Sequence, residues 1–150
     1  MIIMGYPGVG KTFAAKDDYR FIDLDSHEWK DIGKDWAKHY CRLAENLSKQ
    51  GYFVLVSTHP EVKNRLSVSR EKVCLCYPSP YLKDQWIQRL YNRYQNLKNA
   101  RTHNAWKRVS EHFDEDVAYM RGLQMREIVL TGMSYNLKQL IVNLYDAPIW

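Results

Sequence analysis

Short apolar runs recur along the chain at Ile2 to Met4, Arg20 to Leu24, Tyr52 to Val56, Lys72 to Tyr77 and Arg126 to Leu130. A stretch of helical periodicity separates each from the next, an alternation that predicts a parallel sheet of five strands. The third and fourth runs, Tyr-Phe-Val-Leu-Val and Val-Cys-Leu-Cys-Tyr, are apolar on both faces, as strands covered by helices on each side must be.

Between the strands, Trp36, Tyr40, Leu43 and Leu47 recur at helical spacing, and Gly51 supplies a stop after them. Leu82, Trp86, Leu90 and Leu97 mark a second helix, opened by Ser79 as N-cap with Pro80 at the first helical position. Thr58-His59-Pro60-Glu61 fits a capping box, and Leu137, Leu140, Ile141 and Leu144 mark a last helix. The segment Gln95 to Asp116 is polar and mixed in charge, anchored only by Trp106, Val109 and Phe113, and reads as a flap.

A chain of 150 residues suits one domain, 1–150, with a lid at about 89–113. Mean hydropathy of −0.54 leaves no apolar run long enough for a membrane span. The N-terminal Met1-Ile2-Ile3-Met4 turns to glycine at once, unlike a signal peptide, so the cytoplasm is the expected location. Cys41, Cys74 and Cys76 read as buried thiols, and no pair of ligands stands at zinc-finger spacing. The net charge of +5 favours an anionic partner, and nucleotide phosphates satisfy it as well as nucleic acid does.

Gly5-Tyr6-Pro7-Gly8-Val9-Gly10-Lys11-Thr12 fits the pattern G-x-x-x-x-G-K-S/T. Glycines let the backbone curl around an anion so that successive N–H groups converge on it, among them those of Gly8, Val9, Gly10 and Phe13. Lys11 reaches the β- and γ-phosphates of ATP, and the Thr12 hydroxyl is placed to ligate Mg²⁺. An apolar strand before the loop and a helical segment after it supply the context; the alternative is a glycine turn that binds nothing. Neither D-x-x-G nor N-K-x-D of a GTPase occurs, and no Asp-Glu pair ends the strand at Val56 as in a motor or helicase.

The acids stand on the second strand instead, in Phe21-Ile22-Asp23-Leu24-Asp25, where Asp23 and Asp25 share a face beside the loop. One of them could hold Mg²⁺ through water while the other orients or deprotonates the acceptor oxygen; alternatively both cap the following helix.

A phosphate loop followed by D-x-D near the end of strand two resembles the small-molecule and nucleoside monophosphate kinases. Tyr77-Pro78, Gln88-Arg89-Leu90-Tyr91-Asn92-Arg93 and Leu130-Thr131-Gly132-Met133-Ser134-Tyr135-Asn136-Leu137 are similar to segments of the compact deoxynucleoside monophosphate kinases of bacteriophages. The resemblance implies a sheet in the order 2-3-1-4-5, with ATP and Mg²⁺ as cofactors. It implies that Arg89 and Arg93 are lid arginines, one near ATP and one on the transferring phosphoryl group. Residues four apart also share a helix face, where the competing reading is a solvated basic face. Gly132 and Met133 would lie against adenine, and His59 and Arg65 would meet the acceptor, with His59 read chiefly as a helix-start residue.

The expected activity is therefore transfer of the γ-phosphoryl group of ATP to a (deoxy)nucleoside monophosphate. The alternatives are a kinase for another small molecule or a polynucleotide 5′ end, and a non-catalytic nucleotide-binding module. Nucleotides are the expected partners, with a homodimer conceivable and neither a membrane nor a stable nucleic-acid partner expected.

Overall fold

The structure is a computed structural model that describes residues 1–135 and 137–145, without the side chains of Leu144 and Tyr145. Asn136 of the quoted motif and the side chain of Leu144 in the last stripe lie outside the described residues.

Five strands, β1 (Ile2–Gly5), β2 (Phe21–Asp23), β3 (Phe53–Val56), β4 (Val73–Pro78) and β5 (Arg126–Leu130), form one sheet in the order 2-3-1-4-5, and every pairing is parallel. This is the expected order. The central strand β1 is buried along its whole length, which places its carboxyl end and the loop after it in the middle of the molecule.

Six α-helices flank the sheet among the described residues: α1 (Lys11–Asp17), α2 (Trp36–Lys49), α3 (Pro60–Leu66), α4 (Lys83–Asn96), α5 (Ala100–Gly122) and α6 (Leu137–Tyr145). The buried face of α2 is Trp36, Ala37, Tyr40, Cys41, Ala44 and Ser48, with Leu43 and Leu47 only partly covered. Small residues on the inner side let the helix approach the strands, so the leucines fall to its edge. The N-cap of α3 is His59 rather than Thr58: its Nδ1 accepts from the N–H of Glu61 at 3.4 Å.

The polar stretch Gln95 to Asp116 is largely regular helix. Its greater part is the first three-quarters of α5, a helix of 23 residues opened by a reciprocal capping box between Asn99 and Thr102. The buried apolar residues Val109, Phe113, Val117 and Met120 begin only midway, so the earlier turns carry little apolar periodicity. α4 and α5 pack together as a helical hairpin, joined through Leu97, which is 61% exposed and thus leaves the stripe predicted for it. Tyr94 stacks on Trp106 with centroids 5.6 Å apart and closes the hairpin near its turn.

All three cysteines are buried and free. Burial pushes the thiols of Cys41 and Cys76 up, to about 11 and about 12, which suppresses the reactive thiolate. Native protein at pH 8 should therefore release no colour from an aromatic disulfide reagent until denaturant is added; a thiol that reacts within seconds in the native state would contradict this burial.

Candidate functional site

The loop after β1 turns sharply because two of its residues take left-handed backbone conformations, Gly8 at φ 94° and Gly10 at φ 99°. Gly5 serves a different end: a Cβ there would come within 2.7 Å of Val9 Cγ2. The turn is closed by the Val9 N–H donating to Tyr6 O at 3.2 Å, with Val9 itself fully buried. The first intrahelical bond of α1 runs from Ala14 N to Gly10 O, which leaves the N–H groups of Gly10, Lys11, Thr12 and Phe13 without intrahelical partners. Among the described residues, no backbone hydrogen bond uses the Gly8 N–H.

Lys11 folds back so that its ammonium donates to Gly5 O. Burial pulls its pKa down to about 8, against the opposing pull of Asp23. The Thr12 hydroxyl donates to Asp23 Oδ2 at 3.1 Å, so the first carboxylate of D-x-D meets the last residue of the phosphate loop. Mg²⁺ commonly uses one or two protein oxygens and completes its shell with phosphates and water, and this pair fits such a site. Asp25 is placed differently. It caps the short 3₁₀ turn Ser26–Glu28 by accepting from the His27 N–H at 3.0 Å, and its other oxygen pairs with Arg101 at 2.8 Å. Capping and cleft-facing readings therefore both apply to Asp25, whereas Asp23 faces the loop.

These groups line a cleft of about 890 Å³ that runs from the phosphate loop, between β2 and the α4–α5 hairpin, to the start of α3. Six basic residues line it, Lys11, Lys30, Arg89, Arg93, Arg101 and Arg108, against three acidic ones, Asp23, Asp25 and Asp116. The Arg93 guanidinium has no hydrogen bond or ion pair among the described residues; burial and the neighbouring Arg101 lower its pKa, against the opposing pull of Asp23 and Asp25. Arg108 forks onto Asp116 through Nη2 at 2.6 Å and Nε at 3.1 Å, and Tyr6 donates to the same carboxylate at 3.4 Å. Arg89 is the most engaged of the six: it donates to Gly8 O at 3.0 Å, Tyr135 Oη at 3.1 Å and Met133 O at 2.8 Å.

Other expected site residues scatter. His59 lines the cleft, and burial lowers its pKa, which favours the neutral ring whose Nδ1 caps α3. Arg65 does not line the cleft: six positions beyond His59 it has turned to another side of α3, where it is exposed near Cys41. Lys30, Arg101 and Arg108 are basic residues that do line the cleft, with Lys30 and Arg108 acting on His59. Gly132 and Met133 also stand outside the lining, with Met133 O accepting from the lining residue Arg89. Phe13, 62% exposed, stands at the rim beside Thr12.

Arg101, Arg108 and Asp116 were missed by reading the chain, yet a signal existed. Arg101, Asn104, Ala105 and Arg108 repeat at three and four residues, the face of α5 that lines the cleft. Among the described residues no group of three His, Cys, Asp or Glu side chains is arranged to hold a metal without help from a ligand, and no helix is long and apolar enough to cross a membrane. Comparison of the chain with protein-family models and with curated proteins finds no match.

Proposed function

We propose that the protein transfers the γ-phosphoryl group of ATP to a nucleoside monophosphate, with a deoxynucleotide as the preferred acceptor. The observation that carries this reading is the Thr12 to Asp23 hydrogen bond of 3.1 Å, which joins a phosphate loop to an acid on β2 inside a cleft lined by four arginines. Loops that only hydrolyse nucleotide need an acid beyond β3, where this chain has Ser57.

The chemistry follows from the charges. The bond between the γ-phosphorus and the oxygen bridging to the β-phosphate breaks, ADP leaves with that electron pair, and an acceptor oxygen bonds to phosphorus. Lys11 exchanges the Gly5 carbonyl for the β- and γ-phosphates, and Arg93 neutralises charge as it moves to the leaving group. Thr12 and Asp23 would hold Mg²⁺, which would supply further neutralisation of the phosphate oxygens. A monophosphate acceptor has its second pKa near 6, so its oxygen is already deprotonated and no base is required. Asp25 orients the acceptor once a phosphate has drawn Arg101 away. Arg101 and Arg108 stand in for the acceptor-phosphate role expected of Arg65.

One observation favours a second reading, a hydroxyl acceptor on a small molecule or a polynucleotide 5′ end. The acceptor end offers Ser26, Thr58 and His59 as hydrogen-bonding groups, and Asp25 could take the proton of a hydroxyl. ADP release with ATP and Mg²⁺ across all ribo- and deoxynucleoside monophosphates, with a sugar, shikimate and a 5′-hydroxyl oligonucleotide beside them, separates the readings. Stimulation by one or a few monophosphates is expected; stimulation by a hydroxyl compound alone would support the second, and silence despite ATP binding would leave a binding module.

Asp23→Asn keeps the shape and removes the charge. It should raise the Mg²⁺ concentration for half-maximal activity by about 10- to 100-fold, the usual cost of losing a group that orients metal ligands. An unchanged Mg²⁺ titration would remove Asp23 from the metal's surroundings.

A further inference from the structure

The phosphate loop is gripped from outside by α4. Trp86, fully buried and no part of the cleft lining, donates its indole N–H to Pro7 O at 2.7 Å. One helical turn on, Arg89 donates to Gly8 O at 3.0 Å. The same guanidinium lies 4.5 Å above the Trp86 ring and holds Met133 O and Tyr135 Oη beyond β5. Two consecutive peptide carbonyls of the loop are therefore each fixed by a donor from one helix.

A trans peptide points its N–H opposite to its C=O. Turning Pro7 O toward buried Trp86 turns the Gly8 N–H the other way, and that N–H has no backbone partner among the described residues. Either carbonyl swung into the loop would present an oxygen to an entering phosphate and repel it. α4 also stands close against Gly8, since a Cβ there would lie 2.8 Å from Leu90 and 2.9 Å from the Trp86 indole nitrogen.

We infer that Trp86 and Arg89 are positioning residues for anion binding: they pin the Pro7 and Gly8 carbonyls outward so that the loop meets phosphate with its N–H groups already turned inward. This assigns Arg89 to the loop's own shape, a different task from contact with the transferring phosphoryl group, which falls to Arg93. Preorganised donors bind an anion without first reorienting, so loss of the clamp weakens phosphate binding rather than the fold as a whole. The inference rests on the phosphate-loop reading, although it does not require that the protein be a kinase.

The test uses inorganic pyrophosphate as the anion, with calorimetric Kd values for the whole chain. Trp86→Phe keeps an aromatic ring and removes only the indole donor. Arg89→Lys keeps the charge and removes the planar fork that reaches three acceptors. Each variant should raise the pyrophosphate Kd by about three- to tenfold, the net worth of one hydrogen bond, and should raise KM for ATP while leaving KM for the acceptor unchanged. Restoring the charge alone, as Arg89→Lys does, should not restore affinity. If wild type binds pyrophosphate and both variants bind it equally well, the clamp is wrong and the loop reading stands. If wild type binds no pyrophosphate, the loop reading fails and takes the clamp with it. Should Trp86→Phe not fold, Arg89→Lys decides alone.

Discussion

Lys11→Met should lower kcat/KM for ATP by about 10²- to 10³-fold, the scale on which removal of one transition-state charge contact is felt. The melting temperature should not fall with it. In the native protein the Lys11 pKa lies at about 8 rather than 10.5 because burial disfavours the cation. A base whose pKa is lower when folded costs stability wherever it is charged in both states. Its unfolded form binds more protons between pH 8 and 10.5, so stability rises with pH across that window. Removing the amine removes this cost at neutral pH, and methionine keeps the unbranched stem. Fluorescence-monitored melting at pH 7 should give a value at or above that of wild type. The same pKa predicts an alkaline limb: kcat/KM for ATP falls as free enzyme loses the Lys11 proton above about pH 8, and a flat profile from pH 7 to 9.5 would contradict the role given to this amine.

Gly8→Ala should be the most damaging single methyl in the loop. The backbone stands at φ 94°, which an L side chain adopts at a cost of about 1–2 kcal/mol. The added carbon would lie 2.8 Å from Leu90 Cδ2 and 2.9 Å from Trp86 Nε1, so α4 must move or the Trp86 bond to Pro7 must break. Together these should cost about 2–4 kcal/mol, a drop of roughly 5–15 °C in melting temperature, and should abolish the rise in melting temperature that ATP gives wild type. Gly122→Ala is the control, because nothing stands within 4 Å of its Cβ position and its φ is not in the left-handed region. A Gly8→Ala protein as stable as that control would mean that α4 does not hold the loop.

Strands β1, β3 and β4 were legible because each is a short run whose apolar residues are largely buried, and burial is what apolar runs report; β5 is more open, with Val129 exposed. The glycine turn after β1 was legible for a different reason: its glycines answer a backbone demand that no other residue meets cheaply, visible in the positive φ of Gly8 and Gly10. Its link to Asp23 was also foreseeable, since parallel strands bring their carboxyl ends together, and the Thr12 to Asp23 bond lies there.

What stayed hidden depended on long-range packing. α5 carries its apolar core residues only from Val109 onward, so the turns bearing Arg101 and Arg108 looked like solvent-facing chain. Only the hairpin with α4 brings Arg101 to Asp25 across the cleft, a contact between residues 76 positions apart. Arg65 was expected at the acceptor from its place after β3, but a helix of seven residues has turned away from the cleft by its sixth. The family resemblance implied that Arg89 and Arg93 are lid arginines, one near ATP and one on the transferring phosphoryl group, and their four-residue spacing agreed with a shared face. The structure separates them: Arg89 is spent on three protein oxygens, and Arg93 has no such partners among the described residues.

The most direct measurement of the central claim is to follow the labelled γ-phosphoryl group of ATP in the presence of Mg²⁺ and a mixture of nucleoside monophosphates, and to identify by chromatography the molecule that carries the label. Label in a nucleoside diphosphate, lost in Lys11→Met, is the predicted result. Label found only in inorganic phosphate, or remaining in ATP throughout, would contradict transfer to a nucleotide.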